Sequence, residues 1–507
     1  MTSIHWASEF AALALRYGER PAVADKGGTV CYAELFSKAA GVGHAVMSAG
    51  IAPGDTVVTL FRNGADAVAA SFGVMMTGAV EVPLNPALST AESEHCLAIS
   101  AARVVITSAG LADDLIACGR TILYIDHITP TPLDPAAFPV VDGNAAARIV
   151  FTSGTTGLPK GAIHSQNGRW TANLLLRASL PFRPDASSRV LLMTPYCHGA
   201  SLMTHAYLSS GSSVTLLDGV DPPTVLDVLE RGECDAMFAP PTVLAKLVAA
   251  AGERRFGSLR AIFCGTAALK PTLYARAKAI FGPVVRVTYG KSEVFNPITV
   301  LEADETEAWY ASGGDDACVG WPAAGVEIVI RGEDGEPAAA GDGGEVMIRA
   351  QHLMTGYLTA DGFRPLAANE FHDTGDLGYV DSEGRLHLSG RTADVIKSGG
   401  YKITPEEVER LLAPALQPSE VAVVGIPSDY WGEVILAAIE RPSPGWEQRV
   451  EVAMRDVTDY KRPRLMLAFD ELPRNGIGKI LRSAIRADVL SRFRLTEGSH
   501  PRLEKRE

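Results

Sequence analysis

The chain has 507 residues, of which 47% are hydrophobic and 21% charged, and this composition excludes the disordered, collagen-like and small disulfide-rich classes. Its 59 acidic residues outnumber its 46 lysines and arginines, which gives a formal charge of -13 with no long basic run to offset it. Non-specific binding to nucleic acid or to an anionic membrane is therefore disfavoured. The length predicts roughly two to four domains.

The cysteines and the N-terminus both favour a cytoplasmic protein. The seven cysteines are odd in number, scattered, and form no Cys-x-x-Cys pair, which argues against a disulfide framework and a structural zinc site. Glu9, Arg16 and Glu19 interrupt the apolar part of the N-terminus, so it does not resemble a signal peptide. No apolar stretch reaches the roughly eighteen residues that span a bilayer, so no transmembrane helix is predicted.

Two patterns of predicted elements follow one another along the first 390 residues. Short β-branched runs at 56–61, 102–107 and 147–152 alternate with Ala- and Leu-rich segments such as 66–79, which predicts an α/β fold with largely parallel sheets. After about Pro322 short strands alternate with turns, and the Asp-Gly and Glu-Gly pairs there are typical of hairpins. This second pattern predicts a β-rich subdomain over about 322–390.

A third pattern begins after Arg391. Thr404 is predicted to be a helix N-cap, with Pro405 at the first helical position and Glu407 as the capping-box partner. Strands are predicted at 420–426 and 433–440 and a further helix within 448–457. We therefore predict an N-terminal domain over 1–390, a hinge at 391–394 and a small α+β domain over 395–507, whose last residues, 497–507, form a frayed tail.

Residues 152–161, TSGTTGLPKG, follow a predicted strand and suit a polyphosphate. Glycines let backbone amides approach oxygens, hydroxyls donate hydrogen bonds, and Lys160 supplies a positive charge. The segment does not match the Walker A motif, because Pro159 and Gly161 differ from the residues that the motif requires at those two positions. The other alternative is a flexible surface loop. The predicted phosphate ligands are Thr152, Ser153, Gly154, Thr155, Thr156 and Lys160.

This loop resembles the signature of the adenylate-forming superfamily, which includes acyl-CoA synthetases, the adenylation domains of peptide synthetases and firefly-type luciferases. Further segments resemble that family in the same order, from about residue 20 to residue 485. The resemblance implies a large N-terminal α/β domain and a small mobile C-terminal domain. It also implies ATP and Mg²⁺, and a reaction in which a carboxylate and ATP give an acyl-adenylate and pyrophosphate before an acceptor displaces AMP.

Two segments resemble the family's adenine and metal site. Residues 264–269, CGTAAL, resemble its Gly-rich strand end, and residues 289–293, YGKSE, resemble its Tyr-Gly-x-Thr-Glu segment. The resemblance implies that Glu293 binds Mg²⁺, which prefers one or two carboxylates plus phosphate oxygens. Without the other motifs, the first segment would be interpreted as an ordinary strand-to-helix turn. The glutamate of the second segment would be interpreted as a solvated surface charge. The implied nucleotide ligands are Gly265, Thr266, Ala267, Tyr289, Gly290 and Ser292.

The ribose site is implied by residues 374–379, TGDLGY, together with Arg391. The resemblance implies that Asp376 binds the ribose, since a carboxylate can accept hydrogen bonds from both ribose hydroxyls. It implies that Arg391 lies nearby, where a planar guanidinium suits the oxyanions of the phosphate. Without the Gly-Arg at 390–391, an ordinary Asx-type turn would be an equal alternative.

The C-terminal segments imply the two half-reactions. Residues 473–480, PRNGIGKI, resemble the family's lysine loop, in which Lys479 would stabilise the negative charge that grows in the adenylation transition state. Lys397 and the acceptor loop of Ser398, Gly399 and Gly400 resemble the segment that serves the second half-reaction. At the hinge the family usually has Asp or Lys, whereas this chain has Ala393, which leaves the balance between the two domain orientations open.

The acyl pocket is implied by residues 194–200, TPYCHGA, in which His198 resembles the family's gate over the substrate carboxylate. A lone histidine is otherwise more often a hydrogen-bonded structural group. The small and apolar residues predict a pocket of moderate width for an aromatic, alicyclic or medium-length acid. Its predicted lining is Tyr196, His198, Ala200, Gly265, Lys291, Val294, Phe295 and Pro297.

The acceptor is predicted to be CoA, because residues 397–401 and 423–433 resemble acyl-CoA synthetases most. The main alternative is an amide ligase similar to coronafacic acid-type ligases, in which an amino acid attacks the adenylate. Luciferase-type oxygenation is a remote option. A non-catalytic nucleotide-binding module is disfavoured by the joint presence of the candidate groups Lys160, Glu293, Asp376, Arg391 and Lys479.

Overall fold

A computed structural model describes residues 3–111, 119–152, 159–367, 370–455, 457–475 and 478–506, with the side chains of residues 295 and 296 left aside. By packing, the chain divides into unit 1, residues 1–328 and 348–372, and unit 2, residues 329–347 and 373–507. Residues 373–390 thus pack with the C-terminal part of the chain. The predicted hinge at 391–394 concerns movement and stays a prediction.

Helices form where the sequence offers start signals. Prolines occupy the first turn of α7, α8, α9 and α11, where a missing backbone N–H costs nothing. The helices are α1 Trp6–Tyr17, α2 Tyr32–Ser48, α3 Ala65–Thr77, α4 Thr90–Ser100, α5 Gln166–Ala178, α6 Ser201–Leu208, α7 Pro222–Glu230, α8 Pro241–Ala251, α9 Pro271–Phe281, α10 Ala303–Ala311, α11 Pro405–Leu416, α12 Trp446–Ala453 and α13 Arg482–Arg492.

Strands form at the β-branched runs. Those before residue 300 are β1 Ser3–Ile4, β2 Pro21–Asp25, β3 Gly28–Cys31, β4 Thr56–Leu60, β5 Val80–Leu84, β6 Val104–Thr107, β7 Thr121–Tyr124, β8 Val141–Asp142, β9 Ala146–Thr152, β10 Lys160–Ser165, β11 Arg189–Leu192, β12 Ser213–Leu216, β13 Ala236–Phe238, β14 Ala261–Cys264, β15 Val285–Lys291 and β16 Val294–Leu301. The later ones are β17 Ala317–Pro322, β18 Val326–Arg331, β19 Gly344–Ala350, β20 Gly356–Thr359, β21 Gly362–Pro365, β22 His372–Val380, β23 Leu386–Arg391, β24 Ile396–Ser398, β25 Tyr401–Ile403, β26 Val421–Ser428, β27 Gly432–Glu440, β28 Leu465–Phe469, β29 Phe493–Leu495 and β30 Leu503–Lys505.

Unit 1 contains two mainly parallel arrays, as the alternating pattern predicted. One sheet has the order β21-β20-β10-β9-β5-β4-β6-β7, and the other array runs β17-β16-β15-β14-β13-β11-β12-β2-β3. Strands β4, β5, β6 and β7 pair in parallel, and so do β15, β14, β13, β11, β12 and β2. The central strands are buried on both faces, which explains their continuous apolar runs.

Unit 2 contains part of the predicted β-rich region together with the predicted C-terminal α+β sheet. The sequence placed the whole β-rich region, 322–390, in the N-terminal domain, whereas residues 329–347 and 373–390 pack with the C-terminal part of the chain and residues 348–372 with unit 1. Strands β18, β19, β22 and β23 follow one another side by side, and β22 and β23 form an antiparallel hairpin around Asp381 and Gly384. In the C-terminal sheet the order is β25-β24-β27-β26, with β28 parallel to β27. Helices α11 and α12 pack on one apolar face of this sheet and α13 on the other.

Two local predictions for the C-terminal region are wrong. Helix α11 begins after Thr404 with Pro405 as expected, but Thr404 makes no capping hydrogen bond, and Glu407 pairs instead with Lys461. The tail is ordered rather than frayed, because β30 pairs with β29 and the Glu497 carboxylate accepts from Ser428 Oγ at 2.7 Å. Within the described part of the chain, no helix is long and apolar enough to cross a membrane.

Candidate functional site

The adenine-site candidates lie at the carboxyl ends of two neighbouring parallel strands, where ligands bind in open α/β sheets. Gly265, Thr266 and Ala267 follow β14, and Tyr289 and Gly290 lie near the end of β15. A Cβ at Gly265 would lie 2.7 Å from the carbonyl oxygen of Thr288, so only glycine fits there. The structure therefore brings together the two segments that the resemblance assigned to adenine.

The candidate metal ligand Glu293 lies with Ser292 in the turn between β15 and β16. Its side chain is half-buried, and its Oε1 accepts a hydrogen bond of 2.8 Å from the Tyr357 hydroxyl. Among the described residues no group of three or more His, Cys, Asp and Glu side chains is arranged so that it could hold a metal ion. One held carboxylate of this kind fits Mg²⁺ that takes its other ligands from phosphate and water.

The candidate phosphate loop joins two antiparallel neighbours, β9 and β10. Thr152 and Lys160 are paired in register at its two ends, and Lys160 is exposed. The four predicted ligands in between, Ser153, Gly154, Thr155 and Thr156, lie outside the described residues. The structure thus fixes the two ends of this loop.

The candidate gate His198 lies in a single π-helical turn, Tyr196–Ala200, just after β11. Its own backbone departs from the helix, with φ -114° and ψ -142°. Burial lowers the pKa of His198 to about 4, so the imidazole is neutral at pH 7. A neutral imidazole is suited to contact a substrate carboxylate by donating a hydrogen bond rather than by charge.

Two side chains hold this turn from outside it. Asn63 Nδ2 donates to the carbonyls of Thr194 and Leu217 at 2.8 Å each, and Asn63 Oδ1 accepts from the backbone N–H of Tyr196 at 2.7 Å. Arg148 Nη1 donates to Ser201 Oγ at 2.8 Å.

The same contacts reach the gate itself. Arg148 Nη2 donates to the Cys197 carbonyl at 3.4 Å, and Ser201 Oγ donates to the His198 carbonyl at 2.8 Å. The backbone that carries the gate is therefore tied to a buried arginine.

Other pocket candidates are partly brought together. Tyr196, Ala200, Val294 and Pro297 are buried and Lys291 is half-buried, whereas the Phe295 side chain lies outside the described residues. Three buried charged residues adjoin the gate turn and were missed by sequence reasoning: Glu81 on β5, Arg148 on β9 and Arg169 on α5. The signal was available, because Glu81 and Arg148 interrupt otherwise apolar strands.

This buried charge cluster, Glu81, Arg148 and Arg169, pairs two guanidinium groups with one carboxylate. Arg169 Nη2 lies 2.8 Å and Arg148 Nε 3.6 Å from Glu81 Oε2, and the three side chains are 1–5% exposed. Burial by itself raises the pKa of Glu81, but Arg148 and Arg169 outweigh it and hold that pKa below its usual value. Since arginine stays protonated, the cluster carries a net charge of about +1.

In unit 2 the two ribose candidates face each other. Asp376 on β22 is directly opposite Arg391 on β23, and Arg391 Nε lies 3.3 Å from Asp376 Oδ1. Asp376 is buried and Arg391 half-buried. The β22–β23 hairpin thus fixes the relative position of two residues fifteen positions apart in the chain.

Lys479 belongs to the same unit and adjoins this pair. Burial and the charge of Arg391 lower its pKa to about 8, against the opposing effect of Asp376 and Asp394. Its loop is held by Asn475, whose Oδ1 accepts from the Lys479 N–H and whose N–H donates to the Lys479 carbonyl, both at 2.9 Å. The structure therefore brings together Lys479, Asp376 and Arg391.

The candidate acceptor loop is the tight turn between β24 and β25. Gly399 and Gly400 have φ of +56° and +87°, conformations that favour glycine, and a Cβ at Gly399 would lie 3.2 Å from the Trp431 ring. Ser398 is buried, whereas Lys397 is exposed. Lys397 does not lie among the buried candidate groups, and its catalytic role stays a prediction.

Two residues of the predicted hinge make ion pairs: Arg391 with Asp376, and Asp394 with Arg482. Ala393 carries no polar group, but the neighbouring Asp394 contacts Arg482 Nη1 at 3.1 Å. Arg482 also contacts Glu406 at 2.8 Å and Glu409 at 2.9 Å, so one guanidinium holds three carboxylates. The residue after Ala393, Asp394, therefore carries a charge contact, whereas Ala393 cannot.

Comparisons with known proteins agree with this arrangement of motifs. The family model for AMP-binding enzymes matches residues 10–358, and that for the AMP-binding enzyme C-terminal domain matches 407–479. The chain is 31% identical over 484 residues to a feruloyl-CoA synthase from Amycolatopsis, which covers 92% of this chain and 95% of that protein.

Two solved structures are similar over nearly their whole length. An o-succinylbenzoate CoA synthetase from Bacillus subtilis, in complex with its acyl-adenylate intermediate, has a TM-score of 0.83 and 26% identity, covering 96% of this chain and 99% of that one. An amide bond synthetase from Marinactinospora thermotolerans has a TM-score of 0.81 and 26% identity, covering 95% and 99%.

Proposed function

Because the chain belongs to the AMP-binding enzyme family, we propose that it is an ATP-dependent acid–thiol ligase that converts a carboxylic acid to its acyl-adenylate and then to a CoA thioester. The observation that carries the proposal is the position of Lys479 beside Asp376 and Arg391. The half-buried ammonium of Lys479 lies beside the carboxylate that is suited to bind ribose. Adenylation needs a positive charge at this position, next to the α-phosphate of the bound nucleotide. The named CoA ligases among its relatives support the thiol acceptor.

In the first step the acid's carboxylate oxygen attacks the α-phosphorus of ATP, and the bond to pyrophosphate breaks. Asp376 accepts hydrogen bonds from the ribose hydroxyls, and Arg391 fixes the position of its carboxylate. Lys479 stabilises the charge that grows on the phosphate oxygens, which is the contribution expected of a preorganised cation. Thr152 and Lys160 lie at the ends of the loop proposed to bind the phosphates.

Glu293 is the residue proposed to hold Mg²⁺, with Tyr357 orienting its carboxylate. The ion would neutralise charge on the phosphates when bound. His198, neutral at pH 7, donates a hydrogen bond to the acid's carboxylate and keeps it in the reactive orientation.

In the second step a thiolate attacks the acyl carbon and AMP leaves. The Gly399–Gly400 turn lets a pantetheine arm run close to the backbone, because neither residue carries a side chain there. A cytoplasmic location, where ATP and CoA are both present, is part of the same proposal.

An amide ligase is the second candidate. The similarity to the amide bond synthetase favours it. Ala393 at the hinge, where the family usually has Asp or Lys, leaves this candidate open but does not support it directly. In that reaction an amine attacks the same adenylate, so the first half-reaction and its residues are unchanged.

The test is pyrophosphate release from Mg-ATP across a panel of carboxylic acids. Each acid is run without acceptor, with CoA, and with a mixture of amino acids, and products are identified by mass. Acid-dependent release that accelerates with CoA and yields a thioester is the expected result. An amide formed only with an amino acid would overturn the acceptor, and absence of release with every acid would overturn adenylation itself.

A further inference from the structure

A small buried cavity lies beside the gate turn in unit 1. Its volume is about 10 Å³, room for about one water molecule, and its polar lining is Arg148, Arg169, Asn173, Ser201 and His205. Leu202 forms part of the same wall. A cavity with this polar lining is suited to bind a small polar group.

The two arginines that line this cavity have donors without hydrogen bonds. Arg169 Nη1 is buried and has no hydrogen-bond partner among the described residues, and the buried Arg148 Nε makes no hydrogen bond but lies 3.6 Å from Glu81 Oε2. Leaving a buried charged donor without a hydrogen bond is more costly than leaving a neutral donor without one. These atoms are therefore suited to a ligand that accepts hydrogen bonds.

The charge balance specifies the ligand further. Glu81 neutralises one of the two guanidiniums, and no second carboxylate in the described part of the chain pairs with either. His205 does not compensate, since burial and the neighbouring arginines lower its pKa to about 3 and leave it neutral. The cluster thus holds one uncompensated positive charge in a buried site, and an anionic acceptor would be favoured over a neutral one.

The cavity adjoins the predicted acid pocket. Ser201 follows Ala200 in the chain and lines the cavity, and its hydroxyl contacts the His198 carbonyl at 2.8 Å. Tyr196, a predicted pocket residue, is buried and lies near enough to the same cluster for the charges of Glu81, Arg148 and Arg169 to affect its ionisation. A substrate that lies along the gate turn with its reacting carboxylate at His198 would place its other end near the arginines.

From these observations we infer that Arg148 and Arg169 form a specificity site for the far end of the acid, and that the substrate carries a second anionic oxygen group there, as a dicarboxylic acid does. This inference rests on the proposed adenylation. One oxygen of the second group occupies the cavity and accepts from Arg169 Nη1, beside the charge of Arg148. Because the cavity has room for only about one water molecule, the rest of the group needs Leu202 to turn aside.

The test compares matched acids in ATP–pyrophosphate exchange: straight-chain dicarboxylic acids and the monocarboxylic acids of equal length that end in a methyl group. At one chain length we expect kcat/KM for the dicarboxylic acid to exceed that of its partner by about tenfold or more, because unpaired buried donors discriminate strongly against an analogue that lacks the acceptor. Arg169→Met should reduce this ratio at least about tenfold.

The ratio is measured within one preparation, so it does not depend on the fraction of folded enzyme. Arg103→Met, which removes an exposed arginine paired with Asp55, is the matched control and should leave the ratio unchanged. Glu81→Gln should raise the ratio, because it adds to the uncompensated charge. If the cluster had only a structural role, Arg169→Met would lower kcat/KM for both acids by the same factor and leave their ratio unchanged.

Two outcomes would overturn the inference while adenylation stands. In the first, kcat/KM is higher for the monocarboxylic acid at every chain length, and Arg169→Met does not change the ratio of the two kcat/KM values. In the second, a free anion occupies the cavity. The melting temperature of the wild type would then be higher in chloride than in gluconate at equal ionic strength, and that of Arg169→Met would be the same in both salts. No exchange with any acid would instead overturn the proposed function, and the inference with it.

Discussion

Asp376 and Arg391 face each other across the β22–β23 hairpin, with Arg391 Nε 3.3 Å from Asp376 Oδ1. The carboxylate is buried and held in one orientation by a strand-to-strand register rather than by a loop. A group that must accept two ribose hydroxyls in fixed geometry benefits from that rigidity, since its hydrogen bonds form without further ordering.

The first prediction concerns nucleotide binding by this pair. Asp376→Ala should raise KM for ATP by about 10- to 100-fold, because a charged hydrogen bond contributes about 1.5–3 kcal/mol. The measurement is ATP–pyrophosphate exchange at saturating acid. Asp361→Ala, which removes an exposed aspartate paired with Arg364, should leave KM within about twofold. An unchanged KM in Asp376→Ala would show that the ribose lies elsewhere.

The second prediction separates the half-reactions. Lys479→Ala should slow pyrophosphate release by about 100- to 1000-fold, the usual loss for one preorganised donor. Thioester formation from a supplied acyl-adenylate should change less than about threefold, because no charge on phosphate has to be stabilised in the same way. Lys505→Ala, at an exposed lysine near the C-terminus, serves as the control. Equal losses in both steps would contradict the assignment.

The third prediction is a pH dependence of adenylation. Burial and Arg391 lower the pKa of Lys479 to about 8, so the ammonium is present below pH 8 and is lost as the pH rises through that value. Pyrophosphate release should then fall toward a slope of about tenfold per pH unit above pH 8. Lys479→Arg, whose guanidinium stays protonated, should lose this limb even if its rate at pH 7 is lower. A wild-type rate that is flat to pH 10 would exclude the lysine as the titrating group.

The sequence predicted the fold because the signals for it are local. Apolar runs of fixed period marked β4, β9 and α3, and prolines marked helix starts such as Pro405. The motif residues were found for the same reason, since each lies in a short segment at the end of a strand. Their grouping into a site came from the family resemblance and not from these patterns.

What the sequence did not yield depends on contacts between distant residues. Glu81 and Arg169 are 88 positions apart, and neither stands in a motif, so their pairing with Arg148 was visible only once β5, β9 and α5 were packed together. The capping box at Thr404 failed for a similar reason: Lys461, distant in the chain, pairs with Glu407. The ordered tail likewise depends on Glu497 reaching Ser428.

The last prediction concerns the anchor at the hinge. Arg482 is mostly buried and holds Asp394, Glu406 and Glu409, so Arg482→Met would leave three carboxylates together without a cation. The free energy of unfolding should fall by about 3–5 kcal/mol at pH 7, as for a broken buried ion pair, whereas Arg103→Met should change it by less than about 0.5 kcal/mol.

The sign of the pH dependence gives an independent check on that interpretation. Burial already raises the pKa of Glu406 despite Arg482, and removing the cation would raise that pKa further in the folded state. The folded variant would then bind more protons than the unfolded chain, so its deficit should shrink as the pH is lowered from 7 toward 5. Urea unfolding of the full chain at pH 7, 6 and 5 measures this. A deficit that is the same at each pH would mean that Arg482 contributes through packing rather than through charge.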